Sequence, residues 1–271
     1  MDSYNDLELQ VAVAKVSKYA VSESGDTVET IERPHGGLSL VLVDGQRSGK
    51  SAKAISNIVA RKAVSLLADG VRDGAAARAA HDYLRTLRSG QVSATLNIVS
   101  IDLATRTIVV SRNSHCPVIV VTGPNATLSL LDEPSEAIGI HARTRPVIAE
   151  LPITLDTYVI VFTDGLMAAG ERHGQPLDLT AFVRDHLQAH GPATSAQTLP
   201  IFQAGTLADA LLARAVELDQ GRPGDDVSVV VLSVVAHQAP VPGPEGRDLA
   251  VRRLTVRFPI PAGVAGTFPA S

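Results

Sequence analysis

Three aspartates stand where an apolar run gives way to a turn: Asp44 in VLVDG, Asp164 in VFTDG and Asp225 in PGDDVSVVV. A fourth, Asp26, follows Gly25 in SESGD, a segment that reads as a turn. A carboxylate is a hard anionic oxygen ligand. Several of them converging at one end of a sheet suit Mg2+ or Mn2+ with retained waters better than zinc, which favours His and Cys. The glycine after Asp44 lets the backbone turn sharply and leaves its carbonyl free, so Gly45 is a candidate oxygen ligand beside Asp44. Taken singly, Asp-Gly and Pro-Gly-Asp are ordinary turn chemistry. Three strand-terminal aspartates in separate parts of one chain, with no acidic excess elsewhere to account for them, point to a metal site.

The elements that must position these residues follow from hydrophobic periodicity. Strands are predicted over 8–17 and over 36–43, the second ending at Asp44. Ala52, Ile55, Ile58, Val59, Ala63, Leu66 and Leu67 keep helical spacing over 51–68, with Ser48 or Ser51 able to cap the start. A second helix fits 74–88. Consecutive strands are expected at 92–103, 107–112, 117–122, 126–131, 146–151 and 156–163, then helices at 178–189 and 195–219. The last core strand, 226–235, is apolar throughout and so buried. Runs of strands alternating with runs of helices argue for α+β layers. After Ala236 the composition turns Pro- and Gly-rich (APVPGPEG), which sets an expected globular domain over 1–236 and a linker and tail over 237–271. Within that tail, 249–258 carries strand periodicity.

Composition excludes several classes. The chain has 271 residues with 45% hydrophobic content, enough for a sizeable core, yet only 3% aromatic residues and no Trp to stack on nucleobases. A net charge of -4 also argues against a phosphate-backbone binder, so no nucleic-acid partner is expected. The single Cys116 cannot form an internal disulfide, and MDSYNDLELQ lacks the basic and apolar regions of a signal peptide. The uncharged run from Asn113 to Leu131 is broken by Pro117, Gly123, Pro124 and Asn125, so it reads as strands and a turn. A cytoplasmic location without membrane contact is the expectation.

In order along the chain stand SGD at 24–26, DGQRSGKSA at 44–52, ATLNIVSID at 94–102, RNSHCPVIVV at 112–121, FTDG at 162–165 and GDDVSVVVL at 224–232. Together they resemble the motifs of the metal-dependent protein phosphatases, in their SpoIIE-like and RsbX-like branch, over about residues 8–235. The resemblance implies a four-layer αββα sandwich, two antiparallel sheets flanked by helices, with two Mn2+ or Mg2+ at one end. Asp44 would bridge the ions, the Gly45 carbonyl would bind one, Asp164 and Asp225 would bind the other, and Asp26 would act through water. Asp44, Asp164 and Asp225 would thereby carry catalysis, and Asp226 would orient Asp225 or a water. The implied substrate is phosphoserine or phosphothreonine on a phosphorylated regulatory protein, typically an anti-sigma-factor antagonist in a partner-switching circuit. The arrangement looks like a stand-alone catalytic unit.

The sequence departs from the family pattern at a few positions. Gln46 stands where eukaryotic relatives carry a His two positions after the bridging Asp, so no side chain is assigned to protonate the leaving group and metal-bound water is expected to do so. Arg47 and Lys50 are candidates to contact the incoming phosphate, but read first as solvated charges at a helix start. NSHCP replaces the more usual NAGHP, and His115 and Cys116 are expected to be structural. The alternative reading is a P-loop-like nucleotide-binding protein using the 44–51 loop, since a strand, GQRSGKS and a helix follow one another there. Its register fails, with three residues between Gly45 and Gly49 where four are needed. A cysteine phosphatase is weaker still, because Thr122 rather than an Arg stands six residues after Cys116.

Overall fold

The computed structural model of the chain describes residues 7–190, 203–237, 241–242 and 248–249. Its first unit, Met1–Ala236, is built on two sheets, each of five strands. The chain runs β1 (Leu7–Val16), β2 (Asp26–Glu32), β3 (Leu38–Gly45), α1 (Gly49–Ala68), α2 (Asp73–Leu87), β4 (Ala94–Asp102), β5 (Thr107–Asn113), β6 (Val118–Thr122), β7 (Thr127–Leu131), β8 (Val147–Pro152) and β9 (Thr157–Phe162). A one-turn helix α3 (Asp164–Met167), α4 (Leu179–His190), α5 (Gln203–Leu218) and β10 (Val227–Ala236) complete it. One sheet has the order β1-β10-β9-β6-β7 and the other β2-β3-β4-β5-β8, and every pairing is antiparallel.

Strand periodicity explains the layering. On β3, Leu40 and Leu42 pack against the facing sheet, where they meet Val120, Val161 and Val230, while Val41 and Val43 point the other way into α1 and α2. On β10, Val229 and Val231 face α4 and α5, and Val230, Leu232 and Val234 face the second sheet. Both faces of this strand are therefore covered, which is why its sequence shows no polar alternation. On α1, Ala52, Ile55, Val59, Ala63 and Leu67 form the buried stripe, and Ala76, Ala77 and Ala80 of α2 are small enough to let the helices close on the sheet. The result is the expected α/β/β/α sandwich.

Some local expectations change. Asp26 does not sit in a turn: it opens β2, an edge strand that the sequence reading passed over because its charged and polar residues face solvent. Ser48 occupies the N-cap of α1, yet neither it nor Ser51 makes a side-chain cap bond there. Residues 195–202 of the helix predicted over 195–219 lie outside the described residues, as does all of the predicted 249–258 strand beyond Leu249. In the second unit, His237–Ser271, Val241–Pro242 pairs antiparallel with Asp248–Leu249. Among the described residues no helix is long and apolar enough to cross a membrane.

Candidate metal centre

The ladder register brings distant residues to one end of the sandwich. Asp44 at the end of β3 pairs with Asp26 on one side and with Thr95 on the other. In the facing sheet, Phe162 pairs with Val229 and Val16 with Val227, so Asp164, Asp225 and Lys18 emerge at the same end. A cleft of about 410 Å³ opens there, lined by Asp44, Gly45, Asp164, Asp225 and Asp226 together with Lys18, Arg47 and His115 among others. The structure thus brings Asp44, Gly45, Asp164 and Asp225 to one cleft. Asp26 lies beneath it, fully buried.

Each carboxylate is held differently. Asp26 Oδ2 accepts hydrogen bonds from Ser228 Oγ (2.6 Å) and Thr163 Oγ1 (3.1 Å), while its Oδ1 has no donor in the structure. Burial is the main reason its pKa rises to about 6. Burial also raises Asp44, to about 9, and the carboxylates of Asp26, Asp164 and Asp225 add to that push. Asp164 is the first residue of α3 and is pushed up by burial and by Asp225, with His115 Nε2 3.8 Å from its Oδ2 opposing the shift. Asp225 Oδ1 accepts the backbone N–H of Asp226 (2.9 Å).

The glycines act through proximity rather than through turning. Neither Gly45 nor Gly165 has a positive φ. A Cβ on Gly45 would stand 2.1 Å from the Ala52 carbonyl oxygen, and one on Gly165 would stand 2.2 Å from that of Asp226. Asp44 is thus seated hard against α1, and Asp164 against Asp226 in the loop that leads from Asp225 into β10.

Asp226 has a larger part than the sequence suggested. Its two oxygens accept the backbone N–H groups of Lys18 (2.9 Å) and Gly25 (2.8 Å), tying the β1–β2 connection to the start of β10. Two lysines, Lys15 and Lys53, donate to the Asp26 carbonyl oxygen at 2.9 and 2.7 Å and place positive charge behind the carboxylates. His115, expected to be structural, is instead exposed on the cleft wall. Arg47 also lines the cleft, whereas Lys50 is exposed away from it. Nothing in the sequence signals either orientation. Cys116 is buried, and burial lifts its thiol to about 12, so it is inert as a nucleophile.

The donor set fits a divalent cation. It is made of oxygens, it is crowded enough to repel itself, and it includes a buried carboxylate oxygen without a donor. Among the described residues no three acidic, His or Cys side chains form a closed cage; the carboxylates line the cleft rather than surround one point. The same acidity disfavours the nucleotide reading, because the 44–51 loop opens onto carboxylates that would repel a polyphosphate.

The fold is shared with phosphatases. The structure is similar to the PP2C phosphatase domain with a regulatory fragment of SpoIIE from Bacillus subtilis, at 18% identity and a TM-score of 0.68 over 86% of this chain and 64% of that one. It is similar to the RsbU and RsbW domains of Rv1364c from Mycobacterium tuberculosis, at 20% identity and a TM-score of 0.65 over 87% of this chain and 62% of that one. The chain thus spans less than two thirds of either neighbour. It also resembles the catalytic domain of the serine/threonine phosphatase PstP, solved with 2 manganese ions, at 14% identity and a TM-score of 0.58 over 84% of this chain and 99% of that one. No protein of curated function matches the sequence. Residues 34–235 match the family model described as Stage II sporulation protein E, and a match over that much of its length makes this chain a member of the SpoIIE family.

Proposed function

We propose that the chain is a protein serine/threonine phosphatase in which Asp44, Gly45, Asp164 and Asp225, backed by Asp26, hold two Mn2+ or Mg2+ ions. One observation carries the reading: carboxylates from separate elements line a single cleft, where burial first and then their mutual repulsion raise Asp44 to about 9. A bound cation pair supplies a water that is acidic enough to ionise near neutral pH, and it offsets charge on phosphoryl oxygens. The protein's own contribution is positioning. Asp44 is fixed between β2 and β4, Asp164 is fixed at the head of α3, and Asp225 is steadied by the Asp226 N–H. Asp26, with one oxygen held by Ser228 and Thr163, keeps the other without a donor and able to orient a water. Gln46 cannot donate as an acid, so water protonates the serine or threonine leaving group.

The substrate assigned is a phosphorylated regulatory protein of the anti-sigma-factor-antagonist kind, acting in the cytoplasm. Its support is the resemblance to a chain with RsbU and RsbW domains and to a structure described as belonging to the bacterial stressosome. Residues 237–271 lie outside the catalytic unit in this reading. Titration of the metal-free protein with Mn2+ tests it: two ions should bind per chain, and Asp164→Asn and Asp225→Asn should each weaken one by about 10- to 100-fold. Binding unaffected by both substitutions would remove the ligand assignment.

A further inference from the structure

Loops from three parts of the chain meet at the mouth of the cleft. The Tyr19 N–H donates to the Pro223 carbonyl oxygen at 2.9 Å, and a Cβ on Gly49 would stand 3.4 Å from Val21 Cγ1. The 18–21 turn therefore touches both the loop before β10 and the start of α1. Two of the loops put a cation on the cleft lining, Lys18 and Arg47; the Arg222 guanidinium stands outside the lining, 5.3 Å from the centre of the ring of Tyr19, the residue after Lys18. Lys15 and Lys53 are engaged with the Asp26 carbonyl oxygen, but the Lys18 ammonium and the Arg47 guanidinium have no partner among the described residues.

Arg47 also holds a backbone φ of +77°, in the left-handed region where glycine is at ease and a long side chain is not. Ala20 in the neighbouring turn is left-handed too, at +63°. Among the described residues seven non-glycine residues have a positive φ, and Arg47 is the one among them that lines the cleft. The cleft floor is acidic and repels acidic chain segments, so the cationic rim is what could admit them.

We infer that Lys18 and Arg47 form a docking rim for acidic residues flanking the phosphoserine of the substrate protein, with Arg222 beyond it beside Tyr19. The inference rests on the phosphatase reading and adds the substrate's charge. Rim charges of this kind set specificity through complementarity that salt weakens.

The test is steady-state hydrolysis by the full chain with Mn2+, on two phosphoserine peptides that differ only in acidic or neutral flanks. The acidic peptide should be favoured about tenfold in kcat/KM at low salt, and the preference should shrink as salt rises. Arg47→Gly should lower the acidic-to-neutral ratio about fivefold, and its melting temperature should be no lower than the parent's, because glycine accepts the φ. Arg47→Lys should keep most of the ratio. Equal rates on both peptides with the parent protein would overturn the rim while leaving the phosphatase reading intact. An equal loss on both peptides in Arg47→Gly would also overturn it, placing Arg47 on the phosphoryl group instead. Failure to hydrolyse either peptide would defeat the phosphatase reading itself.

Discussion

Asp26 and Asp44 stand opposite one another in the β2–β3 ladder, the first fully buried and the second on the cleft wall above it. Burial raises both from the ordinary 3.8, Asp26 to about 6 and Asp44 to about 9, and the charges of Asp26, Asp164 and Asp225 add to the rise of Asp44.

The pair makes the metal-free protein sensitive to pH. A carboxyl whose folded pKa is raised adds stability below its unfolded value and loses it as pH climbs through the folded one. Without metal, stability should therefore fall as pH rises from about 4 towards about 9. Asp44→Asn should melt above the metal-free parent at pH 8, and the gap should close near pH 4. Added Mn2+ should reverse the order at pH 8, because only the parent gains the full binding energy. Melting curves in chelator and in Mn2+ measure both effects.

Asp226 and Asp225 are neighbours with separable roles. Asp226→Ala leaves the Lys18 and Gly25 amides without their acceptor and should destabilise the fold by about 1–3 kcal/mol in urea unfolding. Asp225→Asn should unfold like the parent in chelator and lose Mn2+ affinity instead.

Gly45 and Gly123 should respond to alanine for different reasons. Gly45→Ala drives a methyl into the Ala52 carbonyl and should cost about 1–3 kcal/mol, with activity falling as Asp44 shifts. Gly123 has a φ of +72° but open space around its Cβ direction, so Gly123→Ala should cost only about 1 kcal/mol with activity retained.

Cys116→Ser should preserve most turnover, and thiol reagents should reach Cys116 only on unfolding, since the side chain is buried and its thiol is lifted to about 12. Rapid modification of the folded protein with loss of activity would contradict this.

Much of the sandwich was legible because its strands and helices carry a buried stripe in sequence order, as in α1 and β10. The aspartates were legible because strand ends are marked by a change from apolar residues to glycine or a turn. β2 was missed because it is an edge strand whose Glu29, Thr30 and Glu32 dilute the β-branched residues Thr27, Val28 and Ile31. The amide clamp of Asp226 joins residues 201 positions apart, and local pattern cannot report a contact of that range. The same holds for His115 and Arg47, whose orientation into the cleft is decided by loop packing.

The most direct test of the central claim is phosphate release from a phosphoserine peptide by the purified full chain, with Mn2+ or with excess chelator. The account predicts release with Mn2+, none above background in chelator, and a loss of at least about 100-fold in Asp44→Asn with the fold intact. Release undiminished by chelation, or by Asp44→Asn at saturating Mn2+, would contradict it.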